Sequence, residues 1–328
     1  MTDMNQSYDV IVVGGGPAGL GGALALARAR RSVLVLDEGS PRNAPAGHVH
    51  HFVGHDGTPP AVLAEIGRSE VLRYGGDVVS ARTTALQRED DHFRVELAGG
   101  RTMRARRLLV ASGLTDELPD VPGVAELWGR SVVHCPYCHG WEAKDGAIGV
   151  LGTGPQSAMQ AQLWRQWSDD VVLFQHTGAA PTAEDTARLD ARGIRVVPGR
   201  VAQVEGADGR LSGVRLESGE VIARDTLVVA PRFTANVDLL TPLGIQVAEQ
   251  EMHGAVRGTR VPAGPGGLTA VPGLWVAGNV GDISAQVMAS AVQGLEAGAA
   301  INIDLLFEDI RRAVEVAHVR ANPFGSVA

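Results

Sequence analysis

Tyr8-Asp9-Val10-Ile11-Val12-Val13 runs without a break into Gly14-Gly15-Gly16-Pro17-Ala18-Gly19, and no other stretch narrows the choice of fold so far. The residues before the glycines are short, apolar and β-branched, the pattern of a fully buried strand. The G-x-G-x-x-G spacing allows a tight turn and bares the backbone for a pyrophosphate, which the positive end of a following helix attracts. That helix carries Leu20, Leu24 and Leu26 among small residues and ends on a basic run, Arg28 to Arg31. A second apolar strand, 32–36, leads to Asp37, close to the spacing at which an acid meets ribose hydroxyls. Gly14, Gly16, Pro17, Ala18, Gly19 and Asp37 are therefore expected to hold a dinucleotide. A glycine turn alone would say little; strand, glycines, helix, strand and acid in this order say much more.

The same pattern returns at mid-chain. Ala147-Ile148-Gly149-Val150-Leu151 reads as a strand, Gly152-Thr153-Gly154-Pro155-Gln156-Ser157 as a second glycine turn, 158–167 as a helix and 170–174 as a strand. Gln175-His176-Thr177-Gly178 follows, offering neither an acid for a ribose nor arginines for a 2′-phosphate. Arg165 and Arg188, on neighbouring predicted helices, read as solvated charges. The rest fits two domains of ordinary size in 328 residues. Residues 39–60 look like a loop and 61–74 like an amphipathic helix. Short strands fill 77–110, with Gly99-Gly100 as a hairpin turn. They return over 196–230. After Gly273–Asp282 a long helix is predicted over 285–304, its Ala/Gly face (Ala289, Ala291, Gly294, Ala297, Gly298, Ala300) meeting the first domain or a cofactor.

Between the two glycine turns lies His134-Cys135-Pro136-Tyr137-Cys138-His139-Gly140, which holds the only two cysteines. A C-x-x-C pair can cycle between dithiol and disulfide with little backbone movement, and one of its thiols ionises more easily than an isolated one. Pro136 suits the first turn of a short helix and Gly140 its end; N–H groups at the turn's start would face a developing thiolate. His134 and His139 are candidate proton carriers. The alternative is half of a structural zinc site. Zinc takes about four ligands; there is no second cysteine pair, and the two histidines sit too close to the sulfurs to wrap the same ion. His48, His50, His51 and His55 in the loop lack the spacing of a metal site, and are expected to line a pocket or face solvent. No metal is expected.

A hydrophobic fraction of 45% fits a globular chain, and a net charge of −8 argues against a nucleic-acid surface. The N-terminal residues lack the basic start of a signal peptide, and arginines interrupt the best apolar run before it reaches a membrane span of about 20 residues. Two cysteines in this setting point to a reducing, cytoplasmic location.

With these pieces in order the chain resembles the low-molecular-weight thioredoxin-reductase family of FAD-dependent disulfide oxidoreductases. The matching residues are Gly14, Gly16, Gly19 and Asp37, the strand end Ala111-Ser112-Gly113, the C-x-x-C, the second glycine turn and Ala277-Gly278-Asn279. The resemblance implies an α/β chain of two doubly wound, Rossmann-like domains: a discontinuous FAD domain (1–118 and 244–328) and an inserted NAD(P)-type domain (119–243). It implies FAD contacts at Val79, Ala111, Gly113, Gly278, Asn279, Gln286 and Val287. By the same likeness Cys138 would face the flavin and Cys135 the substrate. A homodimer is expected.

Three departures stand out. Asn279 replaces an aspartate on the flavin side, no basic cluster follows Phe174, and His139 replaces the acid after the second cysteine. The last two are similar to a subgroup of dithiol oxidases that close disulfides in small natural products such as holomycin and gliotoxin, with oxygen as final acceptor. The expected activity is thus oxidation of a small dithiol, with binding of NAD(P)H doubtful. An NAD(P)H-dependent thioredoxin reductase and a non-catalytic flavoprotein redox sensor remain open.

Overall fold

The computed structural model describes residues 7–252 and 254–321. Strand Ser7–Val13 lies between Val33–Asp37 and Thr102–Val110, parallel to both, with Asp77–Ser80 beyond Val33–Asp37. The antiparallel strands Thr83–Glu89 and His92–Leu97 extend the far edge. Leu274–Val276 then returns to pair with Leu108–Val110, so this sheet takes a strand from the last third of the chain. The apolar runs explain the buried centre: Val10, Ile11, Val12, Leu34, Val35, Leu108 and Leu109 are fully enclosed.

Helix Pro17–Arg28 covers one face of the sheet and is crossed by the long helix Val287–Ala321. This second helix is much longer than the predicted 285–304. Its extension is held by charge: Arg31 and Arg106 reach Asp309, and Arg107 reaches Asp304 and Glu308. The basic end of the first helix therefore has partners far away in sequence. The Ala/Gly face packs on the first helix, as a β-carbon on Gly294 would stand 1.9 Å from the Ala18 carbonyl oxygen. Ala289, assigned to that face from sequence, is exposed.

The inserted half repeats the plan in smaller form. Its parallel sheet runs Arg195–Val197, Val171–Phe174, Ile148–Leu151, Thr226–Val228, Val132–Val133, with helix Ser157–Trp164 closing the second βαβ unit. A separate antiparallel sheet, Val201–Ala207 with Arg210–Leu216 and Val221–Ile222, packs on it. The chain enters this half through Leu114–Glu117 and leaves through Arg232–Ala235. These two strands pair antiparallel, side by side, and Ala255–Arg260 and Ala248–Met252 complete their sheet. Among the described residues no helix is long and apolar enough to cross a membrane.

Candidate active site

One cleft of about 1610 Å³ runs from the first glycine turn to the cysteine pair. Ligand pockets commonly measure ~300–1,000 Å³, so it has room for a dinucleotide and a second molecule together. Gly14, Gly16, Pro17, Ala18, Asp37, Ala111, Gly113, Gly278, Asn279, Gln286 and Val287 all border it. Gly19 instead packs behind the turn, where a β-carbon would collide with the Gly14 carbonyl. Val79 does not border the cleft: its side chain joins the core beneath the sheet, and Ala81, Arg82 and Thr83 form that wall. The strand alternation that makes Val79 a good core residue turns its side chain away from the ligand.

The cradle fits a flavin dinucleotide. At Gly16 a β-carbon would meet nothing within 4 Å, so open space lies over the turn. The helix behind it has no side-chain cap and no acid in its first turn, leaving its N–H groups for a pyrophosphate. Asp37 accepts from the Gly15 N–H at 3.2 Å and from Arg68 at 2.7 Å. Arg68 was invisible as a site residue, since only the fold brings its helix beside Asp37. Asn279 is fully engaged: Oδ1 accepts from Arg42 at 3.3 Å, while Nδ2 donates to the Asp282 and Ala285 carbonyls at 3.1 and 2.8 Å.

At the other end of the cleft, Pro136–His139 forms the expected short helix with Cys135 at its N-cap. Gly140 does not end it by a left-handed turn; its backbone stays helical. Glycine is required there because a β-carbon would strike the Pro136 carbonyl and the Trp167 ring. The two sulfurs lie 2.6 Å apart. The hydrogen bond from Cys138 is the main influence holding the Cys135 thiol below its ordinary range. Burial opposes it, and the N–H groups of Cys138 and Tyr137 and the charge of Arg42 assist it. Cys138 is pushed up by that same contact and by burial. Gln286 does more than border the cleft, since its amide comes 3.8 Å from the Cys135 sulfur.

The two histidines differ. His139 is held below its ordinary range by burial, with Glu142 opposing and His50 assisting, so at neutral pH it is an uncharged proton acceptor. The histidine loop reaches this point: His50 lies 3.4 Å from Glu142, and His51 stands edge-on to Tyr137. Among the described residues no three His, Cys, Asp or Glu side chains converge as metal ligands. His134 is stacked on Trp128 at 5.7 Å and capped edge-on by Phe233 at 5.6 Å. Burial and then the Arg42 charge push it down to about 3. It is uncharged at neutral pH, and it still borders the cleft between these two rings.

A folded pKa near 3 against 6.5 unfolded means the unfolded chain binds the extra proton first. Stability from His134 is present above pH 6.5 and falls as pH drops toward 3, by about 2 kcal/mol at pH 5. His134→Phe is expected to lose less stability than the parent between pH 7.5 and 5, as measured by urea unfolding at both values. An equal loss in both proteins would contradict the neutral stacked ring.

Residues 8–298 match the family model described as pyridine nucleotide-disulphide oxidoreductase. The chain belongs to that family. It is a flavin oxidoreductase enzyme, and the family resemblance drawn from its motifs holds. It is 33% identical over 319 residues to thioredoxin reductase tcpT of Claviceps purpurea (strain 20.1), covering 91% of this chain and 94% of the relative. The crystal structure of HlmI is similar with a TM-score of 0.86 and 44% identity, over 96% of this chain and 98% of the other. An oxidoreductase from Agrobacterium tumefaciens gives a TM-score of 0.85 and 36% identity, over 92% and 99%. These likenesses span both halves, so the two-domain α/β architecture with a discontinuous first domain is that of the family.

Proposed function

We propose that this protein is an FAD-dependent dithiol oxidase that closes a disulfide in a small molecule and delivers the electrons to oxygen. The carrying observation is the shared cleft, with the cysteine pair at one end and the dinucleotide cradle at the other. A substrate thiolate attacks the Cys135–Cys138 disulfide at Cys135, releasing Cys138. The second substrate thiol then attacks the mixed disulfide and releases Cys135. Two electrons pass from substrate to the pair; of the two protons released, one goes to His139 and one to Cys138, while Cys135 leaves as the thiolate. The lowered Cys135 pKa suits this step, because a thiolate of lower pKa leaves faster. His139, uncharged and beside the pair, takes the proton from the entering thiol. FAD, when bound, supplies the acceptor for the electron pair as the disulfide re-forms, and oxygen carries it off as peroxide. A homodimer in the cytoplasm is part of the proposal. The exposed apolar stripe of Val287–Ala321, including Val292, Leu295, Leu306 and Ile310, supports the dimer.

Weak use of NAD(P)H is supported by the second glycine turn. Thr177 and Gly178 fold back to donate to the Gly152 carbonyl, and His176 accepts from the Val201 N–H at 3.1 Å. Burial holds His176 below its ordinary range, so it adds no charge there. One observation favours the reductase alternative: the charge of exposed Arg200, missed in the sequence, is felt at His176. Anaerobic titration of the FAD-loaded protein decides between them. Dithiothreitol is expected to bleach the flavin stoichiometrically and air to restore it with peroxide, while NADPH and NADH bleach it poorly. Rapid bleaching by micromolar NADPH would overturn the oxidase.

A further inference from the structure

Two guanidinium groups border the cleft near the cysteine end, and they differ in what they already hold. Arg42 is fully engaged. It forms a two-pronged pair with Asp116 at 2.7 and 2.6 Å, donates to Asn279 and covers the Phe233 ring at 5.3 Å. Arg257, on strand Ala255–Arg260, has no carboxylate within 4.0 Å among the described residues. Among the described residues its side chain donates only to the Pro231 carbonyl, at 3.5 Å, beyond the usual range of about 2.7–3.2 Å. The group is half-buried, and burial pushes its pKa down. A desolvated cation without a counter-charge is costly and uncommon unless a ligand completes it.

Its surroundings indicate what that ligand looks like. Phe233, Ile283 and Met252 border the same cleft and pack together as a small apolar cluster with Leu114. Phe233 also caps His134, the neighbour of Cys135, and the Arg257 charge is felt at His134. A cation, an apolar wall and a reactive sulfur therefore share one compartment. The phosphate cradle at Gly14–Ala18 is built from other elements, at the opposite end of the cleft.

We propose that Arg257 orients the substrate: it donates to an oxygen acceptor, a carboxylate or a polarised carbonyl, on a small dithiol whose apolar body rests on Phe233, Met252 and Ile283. This rests on the dithiol-oxidase assignment and narrows its substrate class to dithiols bearing such an acceptor away from the sulfurs. The guanidinium fork can meet either acceptor with two N–H groups, which a bare alkane dithiol cannot use.

Three 1,3-dithiols that close the same five-membered ring test this on the FAD-loaded enzyme: dihydrolipoate, dihydrolipoamide and 1,3-propanedithiol. Arg257→Met is expected to raise KM for the first two by about ten- to a hundredfold, the loss of a charge-assisted hydrogen bond. It should leave kcat within about twofold and the propanedithiol KM unchanged. Arg257→Lys should recover dihydrolipoate better than dihydrolipoamide, since a point charge lacks the planar fork. If dihydrolipoate alone responds, the acceptor is a carboxylate; if both respond, a carbonyl suffices. A second measurement needs no turnover: binding of oxidised lipoate and lipoamide, followed by tryptophan fluorescence, should weaken by the same factor. Should the parent oxidise none of the dithiols, the oxidase assignment fails while this binding comparison still decides the role of Arg257. Equal changes for all three dithiols, or none, with unaltered lipoate and lipoamide binding, would overturn the inference.

Discussion

Cys138→Ser is expected to stop turnover, with a loss of about 10⁴-fold or more, because the electron pair then has no disulfide to enter. The same variant should lack any thiolate-to-flavin charge-transfer absorption. Cys135→Ser is expected to be equally inactive yet to show that absorption enhanced. The structure supplies the reason: Cys138 is held protonated chiefly by its contact with Cys135. With serine at 135 that contact is lost and burial remains the chief opposition, so in the proposed arrangement, with Cys138 on the flavin side, its thiolate forms more readily. Visible spectra of the two FAD-loaded variants check this. A band kept in Cys138→Ser and lost in Cys135→Ser would reverse the assigned roles of the two sulfurs.

Arg42→Met is expected to have the second largest effect, and mainly on folding. The Asp116 side chain is only 8% exposed and receives both prongs of the guanidinium. Removing one partner of a buried pair costs about 3–5 kcal/mol, because the other charge is left uncompensated. Urea unfolding should show that loss, and Arg42→Met/Asp116→Leu should recover much of it. The double variant also isolates the role of the charge in the chemistry. Arg42 assists in holding the Cys135 thiol down, so without it that thiol ionises at higher pH. In the reduced double variant, alkylation of the pair by iodoacetamide should therefore rise at higher pH than in the reduced parent. An unmoved alkylation profile would mean that Arg42 serves only to pack the loop against Asp116 and Phe233.

The parts of the protein legible in its sequence are those in which chemistry and local spacing coincide. The glycine turn after Ser7–Val13, the second βαβ unit and the Pro-initiated turn at Cys135 each carry their signal within a few residues. Arg42, Arg68 and Arg257 carry none. Each is an arginine in a loop, helix or strand whose partner is fixed only when distant segments meet. The pairing of Arg42 with Asp116 joins the loop after Asp37 to the strand entering the inserted half. His134 shows the same limit: its adjacency to Cys135 is legible, but the Trp128 and Phe233 rings that flank it are brought from either side only by the fold. The long helix outran its predicted end because Arg31, just past the first helix, and Arg106 and Arg107 on the neighbouring strand hold Asp304, Glu308 and Asp309.

The late return of Leu274–Val276 to the edge of Thr102–Val110 has a consequence for the order in which the protein can be made. Every strand of the inserted parallel sheet has been synthesised by Val228. That half can therefore close its core while the first sheet still waits with an open edge. A bare edge strand is a template for wrong pairing, and long-range pairing is slow. The half that begins first is thus the last to finish. Its most exposed interval on the ribosome lies between the appearance of Val110 and that of Val276.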